Sequence, residues 1–451
     1  MNPKIMYEQK LVAPEDATKI VKPGMTLWIG DFTCVAWLFD KALAKRTSEL
    51  ENVNLWVDIP YGPVKCIETD KNGEVFSVSA TYFTEFLRGR PNVHVFPLNL
   101  GDVAHLLRNG EIKVDVAVKT VTPMDKNGFF NFSTVNTYSK AMFDTAKIKI
   151  VEVNESFPWA LGGYDECIHV SEVDYIIENN EDEIATVQPK APSEVEKKIA
   201  ENIISILPKS LDGLTLQIGI GGVPDAICKL LEEEGAKDLG IHTELLTDGI
   251  FRLTEAGIVT GKKKSFLPGK IVHTLAIGSK EMYEWMNYNP SVASFPADFV
   301  NDPFIIALNK NLVSINAALE IDLTGQVNAE SIGHIQYTGT GGQFAWTYAV
   351  SYRSPKALPP IGSPSNISII ALPSAYFDRK TGKLASRIVP LLKMGSAVTT
   401  PRNNIMYIVT EYGVAKLRGK NVKERALELI RIAHPDFRDQ LIEDAKNLGF
   451  I

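Results

Sequence analysis

The sequence predicts an α/β protein built from two similar open halves. Three observations carry this: strand-length apolar runs alternate with helical stretches, one pair of short motifs occurs twice in the same order, and a polar segment closed by prolines lies between the two copies. Val114 to Val118, Lys147 to Val153, Asn366 to Leu372 and Ile405 to Val409 are the right length for buried strands, and their alternation with helical stretches implies parallel sheets.

The repeated motifs come in chain order. Leu27-Trp28-Ile29-Gly30 and Leu216-Gln217-Ile218-Gly219 are apolar runs ending in glycine, followed by the helix-compatible stretches Val35 to Leu43 and Pro224 to Leu231. Further on, Asp125, Gly128 and Asn131 form a D-x-x-G-x-x-N pattern that returns as Asp322, Gly325 and Asn328. Matches in the same order at nearly the same offset argue for duplication of one α/β unit. Glu178 to Pro192 reads as the linker. Ser193 and Glu196 then form a capping box that opens an amphipathic helix with Val195, Ile199, Ile203 and Ile204 on one face. The expected domains are therefore 1–189 and 190–451. Val422 to Ala433, with Leu427 and Ile430 at helix spacing, reads as a packing helix that stops at His434-Pro435.

Composition narrows the function classes. The 451 residues carry 47 Lys plus Arg against 54 Asp plus Glu, a net charge of −7 with no long single-sign block, so a broad nucleic-acid footprint is not expected. Charges interrupt every apolar stretch of Met1 to Pro23, and nowhere do enough apolar residues run together for a membrane span, so the expected location is cytoplasmic. Cys34, Cys66, Cys167 and Cys228 lack metal or disulfide spacing and read as reduced thiols. The 7 His show no metal-ligand spacing, so no metal is expected.

Three segments could carry chemistry. Gly219-Ile220-Gly221-Gly222-Val223 is a glycine-rich turn between strand and helix, either a cradle for an anion or acyl oxygen or merely a tight turn. It is not a dinucleotide fingerprint, because Pro224 stands where the third glycine belongs, and Gly257 to Lys263 fails the P-loop spacing. The second segment joins Gly339-Thr340-Gly341-Gly342-Gln343 to a polar stretch holding Asn328, Glu330 and His334, each a site candidate or a loop hydrogen-bonder. The third, His242-Thr243-Glu244 running into Thr247-Asp248-Gly249, looks like a strand whose carboxyl end turns into a loop, where open α/β sheets place ligands. Spacing alone does not single out Glu244 or His242.

Together, Leu216 to Ile227, Ile241 to Gly249, Leu323 to Gly333, Gly339 to Gln343, Val409 to Lys420 and Ile432 to Arg438 resemble the acetyl-CoA hydrolase/transferase family over essentially the whole chain. Within it, the 4-hydroxybutyrate CoA-transferases and butyryl-CoA:acetate CoA-transferases are most alike. The resemblance implies the CoA-transferase fold: two halves related to ribose-phosphate isomerase and glucosamine-phosphate deaminase, with the site between them. It also implies Glu244 as the nucleophile, Gly219, Ile220, Gly221, Gly222 and Val223 as the coenzyme A loop, Gly341 and Gly342 as a second loop, and Asn328 as a contact to CoA or the thioester.

The implied reaction moves CoA between a short-chain acyl-CoA and a carboxylate such as acetate through a glutamyl-CoA thioester. CoA is then a substrate, no metal is used, and the protein is a homo-oligomer, dimer or tetramer, with no nucleic-acid or membrane partner. An acyl-CoA hydrolase is the neighbouring reading; a CoA-binding subunit without activity is the non-enzyme one. One departure stands out. The family usually continues after its second glycine loop with an Asp-Phe pair and a basic residue, whereas this chain has Phe344-Ala345-Trp346-Thr347-Tyr348-Ala349, and Ser354 to Pro364 lacks the usual Lys-Gly-Gly-Lys character. Phe344, Trp346 and Tyr348 either reshape the acyl pocket or pack against the core.

Overall fold

The computed structural model describes residues 2–188, 190–352 and 362–451. Most of the Ser354 to Pro364 stretch lies outside the described residues. The chain divides into two compact units, one of Met1–Gln188 with Val272–Val300, the other of Pro189–Ile271 with Asn301–Ile451. The first crossing falls at the polar linker, but the return of 272–300 to the first unit is something a contiguous 190–451 domain leaves out. That segment is tied in by backbone bonds such as Asn136 N to Thr274 O (3.0 Å) and Ala276 N to Thr134 O (2.8 Å).

In the first unit the main sheet runs Val93–Val95, Phe76–Ala80, Val53–Asp58, Thr26–Asp31, Val116–Val121, Ile148–Val153 and Tyr175–Glu178, all parallel. Alternation along each strand explains why: Leu27, Ile29, Leu55 and Val57 enter one apolar cluster, while Trp28 and Trp56 between them enter another. Both faces are thus buried, as a parallel sheet covered on two sides requires.

The second unit contains Gly240–His242, Thr215–Gln217, Leu312–Ala317, Ile367–Ala371 and Tyr407–Thr410 in that order, parallel, with Gly413–Lys416 added antiparallel at the edge. From the second strand of each glycine motif outward, the strand order repeats that of the first unit. The D-x-x-G-x-x-N pattern repeats in atomic detail. Asp125 Oδ1 accepts from the N–H of Asn127 and Phe129 (2.9 and 2.8 Å) and Asp322 Oδ1 from those of Thr324 and Gln326 (2.9 and 3.0 Å). Gly128 and Gly325 take φ of +95° and +98°, where a side chain would be strained. The motif is therefore a turn, present twice because the unit is.

Local expectations hold with two corrections. Ser193 and Glu196 cap Glu194–Ile206 reciprocally, but the buried face is Ile199, Ala200 and Ile203, with Val195 exposed in the first turn. In the C-terminal helix Val422–Ile432, Leu427 is exposed and Leu429 and Ile430 are buried; His434 then caps a further helix, Pro435–Asn447. Leu427 is turned off its buried stripe by the 100° step per residue, whereas Val195, four residues before Ile199, shares that residue's side and is exposed in the first turn. The four cysteines are free, and among the described residues no helix is long and apolar enough to cross a membrane.

Candidate active site

Strands Thr215–Gln217 and Gly240–His242 lie side by side with Thr215 opposite Gly240 and Leu216 opposite Ile241, so their carboxyl ends open onto one edge. The glycine loop leaves the first and Glu244 follows the second. Thr243 Oγ1 lies 3.1 Å from Ile218 O, joining the two exits. Gly240 is a matter of room: a Cβ there would stand 2.1 Å from the stem of Lys264, whose Nζ donates to Ile241 O and Lys270 O at 2.7 Å each. Burial without a carboxylate partner lowers the Lys264 pKa to about 7. His242 is buried, within 3.0 Å of the Asn309 amide at Nδ1, which as acceptor leaves the ring proton on Nε2.

The half-buried Glu244 carboxylate is held from two directions. Asn301 Nδ2 donates to its Oε2 at 2.6 Å, and the backbone N–H of Gly342 donates as well. Burial raises its pKa above the ordinary carboxylate value, with these two donors pulling it partly back. Gly342 precedes helix Gln343–Ser351, so the positive end of that helix also faces the carboxylate. A Cβ on Gly342 would sit 2.1 Å from Glu244 Oε2 and 2.4 Å from Asn301 Nδ2. Gly341, with φ +52°, makes the turn into this approach.

The Gly219–Val223 loop leads into helix Gly222–Glu233. Gly221 has φ +125°, and nothing stands within 4 Å of where a Cβ would be at Gly219 or Gly221, so this backbone is open to approach. Ile220 at its tip is exposed, Val223 is half-buried, and Gly222 is packed against the Glu196 carboxylate.

Other candidates have local duties. Asn328 is buried, its Oδ1 accepting from the N–H of Glu330 and Ser331 (3.1 and 3.0 Å) and its Nδ2 donating to Ser331 O (2.8 Å), so the side chain ties its own loop together. Thr399 Oγ1 accepts from Ala329 N, and Thr400 Oγ1 from the Gln343 side chain, linking this loop to the start of the Gln343 helix. His334 is exposed at the turn of a small hairpin. Asn301 and Asn309 escaped the sequence reading because one amide at no distinctive spacing gives no signal. Of the aromatic departure, Trp346 is buried while Phe344 and Tyr348 are half-buried and stacked on each other at 5.8 Å.

Register also identifies a counterpart of Glu244. Thr26 lies opposite Asn54 as Thr215 lies opposite Gly240, and equally far beyond those partners stand Asp58 and Glu244. Asp58 is sealed, accepting from Trp56 Nε1 (2.8 Å), the Tyr138 hydroxyl and Thr81 N, with its pKa raised to about 6 by burial. The paired positions differ in use: one carboxylate is committed to its own fold, the other is half-buried.

Comparison with known proteins adds the family. Residues 1–188 match the acetyl-CoA hydrolase/transferase N-terminal domain and residues 278–445 the acetyl-CoA hydrolase/transferase C-terminal domain. A butyryl-CoA:acetate CoA-transferase of Anaerostipes caccae is 38% identical over 99% of this chain and 98% of its own. A 4-hydroxybutyrate coenzyme A transferase of Clostridium kluyveri is 43% identical over 76% of this chain and 75% of its own. The crystal structure of RipA from Yersinia pestis, 35% identical, superposes with a TM-score of 0.88 and covers 100% of both chains. Relatives named acetyl-CoA hydrolase are more distant, 28% identical over little more than half of the chain. The chain is an enzyme of the acetyl-CoA hydrolase/transferase family.

Proposed function

We propose that the enzyme is a CoA-transferase that moves coenzyme A between a short-chain acyl-CoA, of butyryl or 4-hydroxybutyryl type, and a carboxylate such as acetate, with Glu244 as the covalent carrier. The observation that carries this reading is the Glu244 carboxylate at a sheet edge, gripped on Oε2 by Asn301 and beside the Gly342 N–H. A carboxylate stripped of part of its hydration is a stronger nucleophile, and donors already in place are suited to the charge that develops when it reacts. The transferase names of relatives at 38% and 43% identity support the substrate class.

In this mechanism the Glu244 carboxylate attacks the thioester carbonyl, the C–S bond breaks, and CoA thiolate leaves an acyl-glutamyl anhydride. The thiolate then attacks the glutamyl carbonyl; the anhydride C–O bond breaks, releasing the first carboxylate and leaving a glutamyl-CoA thioester. The incoming carboxylate reverses both steps. No net proton moves and one thioester replaces another. The open backbone of Gly219 to Gly221, at the start of a helix, is suited to an anionic part of CoA. Asn328 orients the loop that carries it.

Steady-state kinetics test the reading. Varying acyl-CoA at several acetate concentrations gives parallel double-reciprocal lines for a ping-pong transferase. Thioester loss at full rate without acetate would instead mean a hydrolase.

A further inference from the structure

The departure in the helix after Gly342 places an unspent donor beside the nucleophile. Trp346 lies one turn into Gln343–Ser351, its N–H bonded to Gly342 O at 3.1 Å, and is 1% exposed. Its ring stands edge-on to His242 at 5.5 Å. The point where a Gly342 Cβ would be is 2.1 Å from Glu244 Oε2 and 3.1 Å from Trp346 Cδ1, the carbon bonded to Nε1. The indole edge and the carboxylate thus crowd one spot. Yet Nε1 has no hydrogen-bond partner among the described residues, and neither has Asn301 Oδ1, on the amide that holds Glu244. A buried donor left unmade is costly and uncommon in folded proteins.

Resting on the reading of Glu244 as covalent carrier, we propose that Trp346 is a catalytic residue whose indole N–H donates to the glutamyl carbonyl oxygen of the Glu244–CoA thioester and to the oxyanion formed when that carbonyl is attacked. The acceptor's carboxylate oxygen adds to the glutamyl carbon and the carbonyl electron pair moves onto oxygen. Return of that pair expels CoA thiolate and leaves the mixed anhydride. The thiolate then adds to the anhydride's acyl carbonyl, and breaking the C–O bond restores the Glu244 carboxylate. The indole keeps its proton throughout. A donor unpaired with the resting carboxylate and paired with the reacting one lowers the barrier without tightening the ground state.

The test is Trp346→Phe, which keeps a flat ring but no N–H, read together with the indole ¹⁵N–¹H spectrum of the 6 tryptophans. Expected are a kcat lower by about 10-fold or more with KM for acyl-CoA within about twofold, in the direction of lost oxyanion donors. The Trp346 signal, assigned by its absence in W346F or W346Y, should move downfield when acyl-CoA converts the wild type to the thioester and stay fixed in Glu244→Ala. If W346F does not fold, the spectrum decides alone. A kcat within about twofold of wild type, or a stationary Trp346 signal in protein whose Glu244 adduct is visible by mass spectrometry, overturns the proposal while leaving the carrier intact. Absence of the adduct itself would remove both.

Discussion

Gly342 has an ordinary φ of −97°, so its lack of a side chain is demanded by space and not by torsion. Gly342→Ala should therefore displace the Glu244 carboxylate from Asn301 and lower kcat by about 10²-fold, the scale of a lost oxyanion donor. The melting temperature should hardly change, which calorimetry beside kinetics would check. Asn301→Ala removes a donor that lowers the Glu244 pKa. The carboxyl, already raised by burial, should rise further, moving the acidic limb of the kcat/KM profile to higher pH, because in the proposed mechanism only the anion attacks. A limb left in place would mean that Asn301 does not face the carboxylate in solution. The proposal of Glu244 as carrier comes from the family resemblance, since a single acid near a strand end has no distinguishing spacing. Trp346 was legible as a departure but not as a neighbour of Glu244, because that proximity depends on how closely Gly342 approaches the carboxylate.

The two glycine loops, each entering a helix of the second unit, are the elements on which the proposed site is mounted. Gly221, at φ +125° with open space around it, should tolerate the bulk of Gly221→Ala but resist its torsion, at a cost of about 1–3 kcal/mol. The same change should raise KM for acyl-CoA more than it lowers kcat, since this open backbone is proposed to bind coenzyme A. Asn328→Ala removes the acceptor of the buried Ser331 N–H and the part-buried Glu330 N–H, with an expected stability loss of about 1–3 kcal/mol by denaturant titration. Elements were well legible where local rules decide: the Ser193 capping box, the four apolar runs seen as strands, and the repeated aspartate turn. They were less so where tertiary packing selects the stripe, as at Val195 and Leu427, or where the chain returns to its first unit, as at 272–300.

At the scale of the whole molecule, the first unit holds buried acids that lie outside the proposed chemistry. Asp58 is raised to about 6 and Glu152 to about 7 by burial, Glu152 accepting from the N–H of Leu38 and Phe39 at the start of helix Trp37–Ala44. In that window the folded state holds protons that the unfolded state releases, so their contribution lowers stability as pH rises from about 4 through 6 to 7 and is level above. Urea titrations across this range should show that slope, and Asp58→Asn should flatten its lower part. The common strand order of the two units was legible as a repeat of short motifs; the register match of Asp58 with Glu244 was not, because pairing is invisible in one sequence. That match sharpens the central claim, that of two equivalent carboxylates only Glu244 carries acyl-group chemistry. Mass spectrometry of the protein after incubation with butyryl-CoA alone tests this most directly. A CoA adduct on the peptide containing Glu244, absent from the Asp58 peptide and lost in Glu244→Ala, is the predicted result; turnover with acetate but no adduct on Glu244 would contradict it.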